Sequence, residues 1–193
     1  MKIEVSDFKL TNFSDSKFIK PKRVHYDLNG NLVEWDFIVL HDCVSVLLYH
    51  QAKDSYIFVK QFRAPLYYHE GLGDIENGLT VELCSGIVDK NKSYEEIAME
   101  ECIEELGIKP KKLDFLGKFY TGFGSGVSTQ RLYFAIVSDD DIVGKGGGAD
   151  SAEAIESVYV KIDEFEEFFS KNKKSALIEY AHLWFLNKKY KKI

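Results

Sequence analysis

Apolar and polar residues alternate over most of the first two thirds of the chain, a period that is typical of β-strands. In "RVHYDLNGNLVEWDFIVL" the alternation predicts a hairpin with strands at 24–28 and 32–40. Asn29 and Gly30 between them favour the positive φ angles of a tight turn. We predict a Gly-rich loop for "HEGLGDIENG" and further strands at 43–50, 56–62, 79–84, 113–120, 131–137 and 157–162.

The middle and the last part of the chain change to a helical period. Apolar residues with 3.6-residue spacing predict helices at 93–106, 163–170 and 175–188. The Gly-rich segment at 144–150 is expected to be a mobile connection. This order of elements predicts an α+β fold, an α/β/α sandwich with the sheet between helices. A length of 193 residues fits one domain with a terminal subdomain, so we place a boundary between 1–40 and 41–193.

Composition narrows the classes of function. The 25 Lys and Arg residues against 31 Asp and Glu residues give a formal net charge of −6, which argues against unassisted binding to nucleic acid or an anionic membrane. No apolar stretch reaches the ~18 residues of a membrane span, and "MKIEVSDFKL" has no signal-peptide core, so we expect a soluble, cytoplasmic protein. Cys43, Cys84 and Cys102 lie among apolar neighbours and are expected to be reduced core thiols.

The predicted helix at 93–106 carries an unusual concentration of carboxylates. Ser93 begins a capping box, and Gly107 is placed to end the helix in the left-handed conformation. In "EECIEELGI", Glu101 stands three and four residues before Glu104 and Glu105, so the three carboxylates point to nearly the same side and repel one another. A hard divalent cation would turn this repulsion into binding energy. An ordinary acidic, solvated face is the alternative.

The segment from Gly86 through "EECIEELGI" resembles the Nudix box, a loop–helix–loop that binds metal for pyrophosphate hydrolysis. Gly86 matches its leading glycine, and Gly107 with Ile108 matches its closing Gly-aliphatic pair, without a gap between them. The three helical glutamates of the box are matched by Glu101, Glu104 and Glu105. The upstream segments "WDFIVLHDCVSVLL", "VKQFRAP" and "VELCSGIVD" resemble the nucleotide-sugar pyrophosphatases of this superfamily, especially the UDP-sugar branch.

The resemblance implies metal-assisted attack of water on one phosphorus of a diphosphate, with Mg²⁺ or Mn²⁺ as the cofactor. Glu101 and Glu105 are implied as the first metal ligands, and Glu104 takes part in catalysis by sharing or bridging a second ion. The carbonyl of Ser85 occupies a position that also reaches metal in this family. Gly86 then lets the backbone turn close to the ion.

The resemblance also implies a general base and substrate contacts. In the nucleotide-sugar branch the base is a glutamate on a loop after the box; Glu153 is the best match and Glu156 the second choice. Arg63 suits a diphosphate because its planar fork binds two oxygens, the alternative being a surface ion pair. Trp35 is a candidate to stack on a nucleobase, or else belongs to core or interface. Glu82 resembles a residue near the metal or the sugar hydroxyls.

Three positions depart from the pattern of the resembled enzymes. Glu100 stands where the box usually has Arg, and Lys92 stands where it usually has Glu. We hypothesise that the two charges have traded places and form a pair; the rival interpretation is a catalytically impaired Nudix-fold module that binds a nucleotide and regulates. Phe123 stands where ADP-ribose pyrophosphatases typically carry proline, which favours UDP-sugars or a broad specificity.

The N-terminal hairpin indicates that the protein associates with a second subunit. Two-stranded ribbons are marginal in water, so this hairpin needs another surface to cover its apolar residues. In the resembled enzymes the matching region packs on a second subunit. The resemblance therefore implies a homodimer in which Trp35 of one chain works with Arg63 of the other.

Overall fold

The computed structural model describes residues 3–11, 16, 19–149 and 153–190. The strands in these residues are β1 (Lys20–Leu28), β2 (Asn31–Val39), β3 (Cys43–His50), β4 (Ser55–Phe62), β5 (Leu79–Glu82), β6 (Cys84–Ile87), β7 (Asp114–Thr121), β8 (Gly126–Val137) and β9 (Glu156–Lys161). The helices are α1 (Ala64–Glu70), α2 (Tyr94–Leu106), α3 (Phe165–Lys171) and α4 (Ala176–Tyr190). None of the helices in the described ranges has the length and apolarity that crossing a bilayer requires.

The predicted N-terminal hairpin is confirmed and is joined to the rest of the sheet. β1 and β2 pair antiparallel along their whole length. Asn29 has φ 56° and Gly30 has φ 82°, the left-handed pair that a two-residue hairpin turn needs. β2 then pairs in parallel with the start of β8, where Ile38 lies opposite Gly126. The hairpin is thereby an extension of the central sheet at one edge.

The centre of the sheet places β6 beside the helix that carries the glutamates. β3 pairs in parallel with β8 on one side and antiparallel with both β6 and β4 on the other. β5 and β9 pair with β4. β6 pairs only with the first half of β3, at Cys43 to Val46, and it contacts α2.

Two apolar cores on opposite faces of the sheet confirm the predicted α+β sandwich. On one face, Val44, Val46 and Cys84 pack against α2 through Ile97 and Cys102. The other face packs against α3 and α4, and its largest fully buried side chains include Tyr56, Phe58, Phe165 and Ile178. All three cysteines are free, as predicted. The thiols of Cys84 and Cys102 are fully buried and lie 3.8 Å apart, and Cys43 is half-buried.

The structure differs most from the predicted elements in two places; in addition, β1 and β8 begin four and five residues earlier than predicted. The segment before and within "HEGLGDIENG" forms α1 and a 3₁₀ turn at Ile75–Asn77 instead of only a loop. Pro65 starts α1 by fixing φ, but the helix buries none of its residues and therefore has no apolar stripe to reveal it. The strand predicted at 79–84 is interrupted at Leu83 and continues as β6, because β5 follows β4 whereas β6 turns to β3.

Candidate active site

Helix α2 begins and ends where the sequence predicts. The Ser93 hydroxyl accepts a hydrogen bond from the backbone of Glu96, whose carboxylate accepts from the Ser93 backbone, which completes the capping box. Gly107 ends the helix with φ 66°. A Cβ on Gly107 would lie 2.3 Å from the carbonyl oxygen of Gly144, so only glycine allows this close approach.

Two of the three box glutamates meet the backbone of β6. The N–H of Ser85 donates to Glu105 Oε2 at 3.0 Å. The carboxyl of Glu101 lies against Gly86, where a Cβ would come within 2.1 Å of Glu101 Cδ. Gly86 is thus required by the space that the Glu101 side chain fills. Both carboxylates and the Ser85 peptide converge on one end of β6, where the sequence predicts a metal site.

The electrostatics of these carboxylates favour a bound cation. Burial raises the pKa of Glu105 to about 7, against the hydrogen bond from the Ser85 N–H. Burial and the neighbouring charge of Glu104 raise the pKa of Glu101 to about 7, and the charge of Glu153 adds to the effect. Each of these two carboxylates therefore lies where the surrounding residues supply too little positive charge to balance its ionised form. A divalent ion with a preference for carboxylate oxygen supplies that charge.

Glu104, the third box glutamate, lies near a lysine and not at the β6 backbone. Lys90 Nζ lies 3.8 Å from Glu104 Oε1 and 3.4 Å from Glu100 Oε2. Lys92 also pairs with Glu100, as hypothesised from the two exchanged box positions. Within the described ranges, no three His, Cys, Asp or Glu side chains lie close enough together to hold a metal ion. The oxygen donors of Glu101, Glu105 and Ser85 nevertheless fit a hard cation, and Glu104 would have to leave Lys90 to join them.

The loop that carries Glu153 is bonded to the end of α2. Gly147 N donates to the carbonyl of Glu105 at 2.9 Å, and Gly148 N donates to the carbonyl of Glu104 at 3.1 Å. These bonds satisfy carbonyls that a helix end leaves without partners. The segment predicted as a mobile connection is therefore attached to α2 along much of its length. The Glu153 carboxylate accepts from Ala149 N at 2.7 Å. The Glu153 side chain lies against Gly148, whose N–H bonds the Glu104 carbonyl, so the loop holds Glu153 at the end of α2.

Arg63 and Glu82 form a two-point ion pair beside this site. Arg63 Nε and Nη2 lie 2.8 and 2.7 Å from the two carboxylate oxygens of Glu82. Burial alone would raise the pKa of Glu82, but the hydrogen bonds from Arg63 hold it below its usual value. A guanidinium has five N–H donors, and this pair uses two of them. The hydrogen bonds to Glu82 raise the pKa of Arg63, and the charge of Glu105 adds to the effect.

Aromatic side chains meet at the tip of the β7–β8 connection. Trp35 is about half exposed, and its Nε1 donates to the carbonyl of Gly124 at 2.8 Å. Phe123 in the same turn is 82% exposed and stacks on Tyr120, with ring centroids 6.2 Å apart. The sequence indicated Trp35 and the departure at Phe123, but not that a single turn brings them together. That contact depends on the β2–β8 pairing, which no local pattern reveals.

The raised pKa values of Glu101 and Glu105 predict how the stability of the metal-free protein depends on pH. Both groups bind protons more tightly in the folded than in the unfolded state, so their contribution is fully present below pH ~4.5 and is lost as pH rises toward 7. We expect the melting temperature in EDTA to fall over this interval and to fall less in Glu105→Gln. A melting temperature that rises from pH 5 to pH 7.5 more in the wild type than in Glu105→Gln would contradict this.

The Lys92–Glu100 pair predicts coupled substitutions. Lys92→Glu alone places a carboxylate beside Glu100, and Glu100→Arg alone places a cation beside Lys90 and Lys92. Each single change should weaken metal binding several-fold and lower the melting temperature. The double substitution should recover most of both losses, because it restores an opposite pair. A Mn²⁺ titration of the four proteins checks this, and strictly additive losses would show that the pair does not support the site.

The sheet, the helix α2 and the carboxylates gathered at β6 make up the candidate site, and comparison with known proteins gives the family. A family model described as the NUDIX domain matches residues 39–180, so the chain belongs to the Nudix family. It is 30% identical to "Uridine diphosphate glucose pyrophosphatase NUDT14" of Mus musculus, with 89% of this chain and 90% of that protein covered.

Other relatives have related names. The chain is 33% identical to "GDP-mannose pyrophosphatase" of Pectobacterium atrosepticum, with 84% of this chain and 82% of that protein covered. It is 27% identical to "ADP-ribose pyrophosphatase" of Haemophilus influenzae, over 75% of this chain and 65% of that protein. The solved structure described as "Crystal structure of ADP compounds hydrolase" superposes with a TM-score of 0.71 at 15% identity and covers 93% of this chain and 90% of that one, which confirms the fold.

Proposed function

We propose that this Nudix-family chain hydrolyses the diphosphate bond of a nucleoside diphosphate sugar, giving a nucleoside monophosphate and a sugar phosphate, with Mg²⁺ or Mn²⁺ as cofactor. The observation that carries the proposal is the convergence of Glu101 and Glu105 on the β6 backbone at Ser85 and Gly86. The relatives named for UDP-glucose, GDP-mannose and ADP-ribose support this substrate class.

Each proposed residue has a distinct task. Glu101, Glu105 and the Ser85 carbonyl hold a metal ion, and Glu104 shares or bridges a second one after leaving Lys90. A divalent ion bound there would neutralise charge on the diphosphate and lower the pKa of an attacking water. Glu153 takes the proton from that water, because its loop is fixed to the end of α2 near Glu101.

Arg63 and the turn at 122–126 are proposed to bind the substrate. Arg63 is oriented by its two bonds to Glu82 and offers its other N–H donors to the diphosphate. Trp35 offers an exposed ring face for a nucleobase, and the exposed, stacked rings of Phe123 and Tyr120 lie at the β7–β8 connection that Trp35 Nε1 bonds through the Gly124 carbonyl. A broad or UDP-directed specificity agrees with the missing proline at position 123.

A homodimer is proposed because the hairpin leaves apolar side chains exposed. All of β1 and much of β2 are accessible in the single chain. Within residues 20–40 of this subdomain, the exposed large apolar residues are Val24, Tyr26, Leu28, Leu32, Trp35, Val39 and Leu40. A second copy packed on this ribbon would cover them and bring Trp35 toward the partner's Arg63.

Mixing two inactive variants tests the shared pocket. Trp35→Ala removes the proposed contact with the nucleobase, and Glu105→Gln removes a proposed metal ligand. The homodimer of each variant should therefore have little activity. Subunit exchange should give back up to about a quarter of wild-type activity, because half of the dimers are mixed and each has one intact site of two. A mixture that remains inactive after exchange, or a wild type that is monomeric at micromolar concentration, would contradict the dimer.

The proposed activity is tested by a panel of nucleotide sugars. UDP-glucose, GDP-mannose and ADP-ribose are incubated with the protein, and the released phosphomonoesters are detected by phosphatase-coupled phosphate assay. We expect turnover of at least one of them with Mg²⁺ or Mn²⁺ and none in EDTA. The rival, a nucleotide-binding regulatory module, rests on the exchanged charges at 92 and 100; it predicts binding of these ligands without turnover.

A further inference from the structure

A chain of hydrogen bonds runs behind β6, on the sheet face opposite α2. Gln130 Nε2 donates to Ser45 Oγ at 2.6 Å, and the hydroxyls of Ser45 and Ser85 lie 2.7 Å apart. Ser85 Oγ also donates to the carbonyl of Leu83 at 2.9 Å. A serine hydroxyl has one proton, so Ser45 must be the donor to Ser85. The direction of every bond from Gln130 to Leu83 is therefore fixed.

This chain ties three neighbouring strands together through side chains. Ser45 on β3 is directly paired with Ser85 on β6, and Gln130 lies on β8 on the other side of β3. Ser45 is fully buried, so the cost of leaving its hydroxyl without a partner is high. A cavity of about 330 Å³ borders all three side chains.

The chain of hydrogen bonds reaches Ser85, the residue that also contacts Glu105 on α2. The hydroxyl of Ser85 belongs to the chain, while its backbone N–H donates to Glu105 on the opposite face of the sheet. The donation to Leu83 bonds the same hydroxyl to the residue that separates β5 from β6. The Ser85 side chain is thus held from behind the sheet, at the residue whose N–H meets the Glu105 carboxylate.

We propose that Ser45 and Gln130 are positioning residues that hold the Ser85 peptide in the orientation required to bind Glu105 and the catalytic metal. The inference rests on the proposed function, because it assigns Ser85 and Glu105 to a metal site. Ser45→Ala removes the donor to Ser85 and the acceptor of Gln130 together. The Ser85 peptide then gains freedom at the point where its carbonyl has to stay fixed.

A Mn²⁺ titration followed by electron paramagnetic resonance measures this role without using turnover. We expect Ser45→Ala and Gln130→Met to raise the Kd for Mn²⁺ roughly ten- to hundredfold, as loss of a residue that orients a ligand does. Ser45→Thr keeps the hydroxyl and should bind almost as well as wild type. At saturating Mn²⁺, kcat of Ser45→Ala should return close to the wild-type value, because no residue that touches substrate has changed.

Thr129→Val is the matched control. Thr129 precedes Gln130 on β8 and is equally part of the buried sheet, but it takes no part in the hydrogen bonds that join Gln130, Ser45 and Ser85. This variant should leave the Mn²⁺ affinity unchanged. Ser45→Ala combined with Ser85→Ala should bind Mn²⁺ no more weakly than the weaker single variant, since both changes break the same chain.

The outcomes separate this inference from the proposed function. If the wild type binds Mn²⁺ and hydrolyses nucleotide sugars, but Ser45→Ala and Gln130→Met bind Mn²⁺ as tightly as wild type, the positioning role is wrong and the proposed function stands. An equal loss in Thr129→Val would also overturn it, by showing a general effect of the sheet. If Ser45→Ala does not fold, Gln130→Met decides. A wild type that neither binds Mn²⁺ nor hydrolyses any nucleotide sugar overturns both.

Discussion

Replacing Glu105 by Gln is expected to abolish stabilisation by Mg²⁺ and to lower turnover by several orders of magnitude. The Glu105 carboxylate is buried and accepts a hydrogen bond from the Ser85 N–H. No other residue can therefore supply a carboxylate at the same position. A wild-type protein at a Mg²⁺ concentration 100 times the Kd should gain about 2.7 kcal/mol of unfolding free energy by mass action. The measurement is a pair of melting curves with and without Mg²⁺, together with steady-state kinetics.

Glu95→Gln is the control for this substitution. Glu95 is on the same helix, in the exposed first turn, and removing its charge changes the net charge of the protein by the same amount. It should retain both the Mg²⁺ effect and the activity. Full activity in Glu105→Gln, or an equal loss in Glu95→Gln, would remove Glu105 from the metal site.

Replacing Glu153 by Gln should lower kcat by roughly 10²–10⁴-fold, the usual contribution of a general base. Gln keeps a hydrogen-bonding oxygen for Ala149 N, so the loop should stay attached to α2. Mn²⁺ affinity should change little, since Glu153 is not among the proposed metal ligands. A pH profile of kcat in which the acidic limb disappears would assign the lost proton transfer to this residue.

Glu156→Gln is the comparison that decides between the two candidate bases. Glu156 lies at the start of β9, paired with Lys60 on β4, and is thereby part of the sheet rather than of the loop. We expect a small effect on kcat. If Glu156→Gln loses more activity than Glu153→Gln, the second-choice residue is the base.

Much of the site follows from local sequence patterns. The capping box at Ser93, the left-handed Gly107 and the grouping of the box glutamates are properties of a single helix, so periodicity and spacing are enough to predict them. These predictions required no knowledge of strand order. The reason for Gly86 was different from the predicted one: the sequence assigned it to a backbone turn close to the ion, whereas its missing Cβ leaves the space that the Glu101 side chain fills.

Features that depend on strand pairing could not be predicted in this way. Ser45 and Gln130 are distant in sequence and ordinary in type, and only the β6–β3–β8 order places them in one chain. Lys90 lies in the box loop, but its position between Glu100 and Glu104 depends on how the loop folds back on α2. Helix α1 was missed because it has no buried face, and hydrophobic periodicity detects only faces that are buried.

The contact of Lys92 with Glu100 weakens the case for an impaired module. The exchanged residues form an ion pair, and Lys90 adds a second cation to the same carboxylate. The Lys92–Glu100 pair holds the loop before α2 against the helix. Its positive charge is at 92 and its negative charge at 100, the reverse of the usual order in the box. The change of residue types at 92 and 100 thus leaves an ion pair in place.

The isotope content of the products tests the central claim most directly. UDP-glucose, or whichever nucleotide sugar of the panel is turned over, is hydrolysed in ¹⁸O-labelled water with Mg²⁺, and the products are examined by ³¹P NMR. We predict a nucleoside monophosphate and a sugar phosphate, with a single ¹⁸O on one of the two phosphates, because water attacks phosphorus. Release of the free sugar and the nucleoside diphosphate, with label on the sugar, would contradict attack on the diphosphate bond.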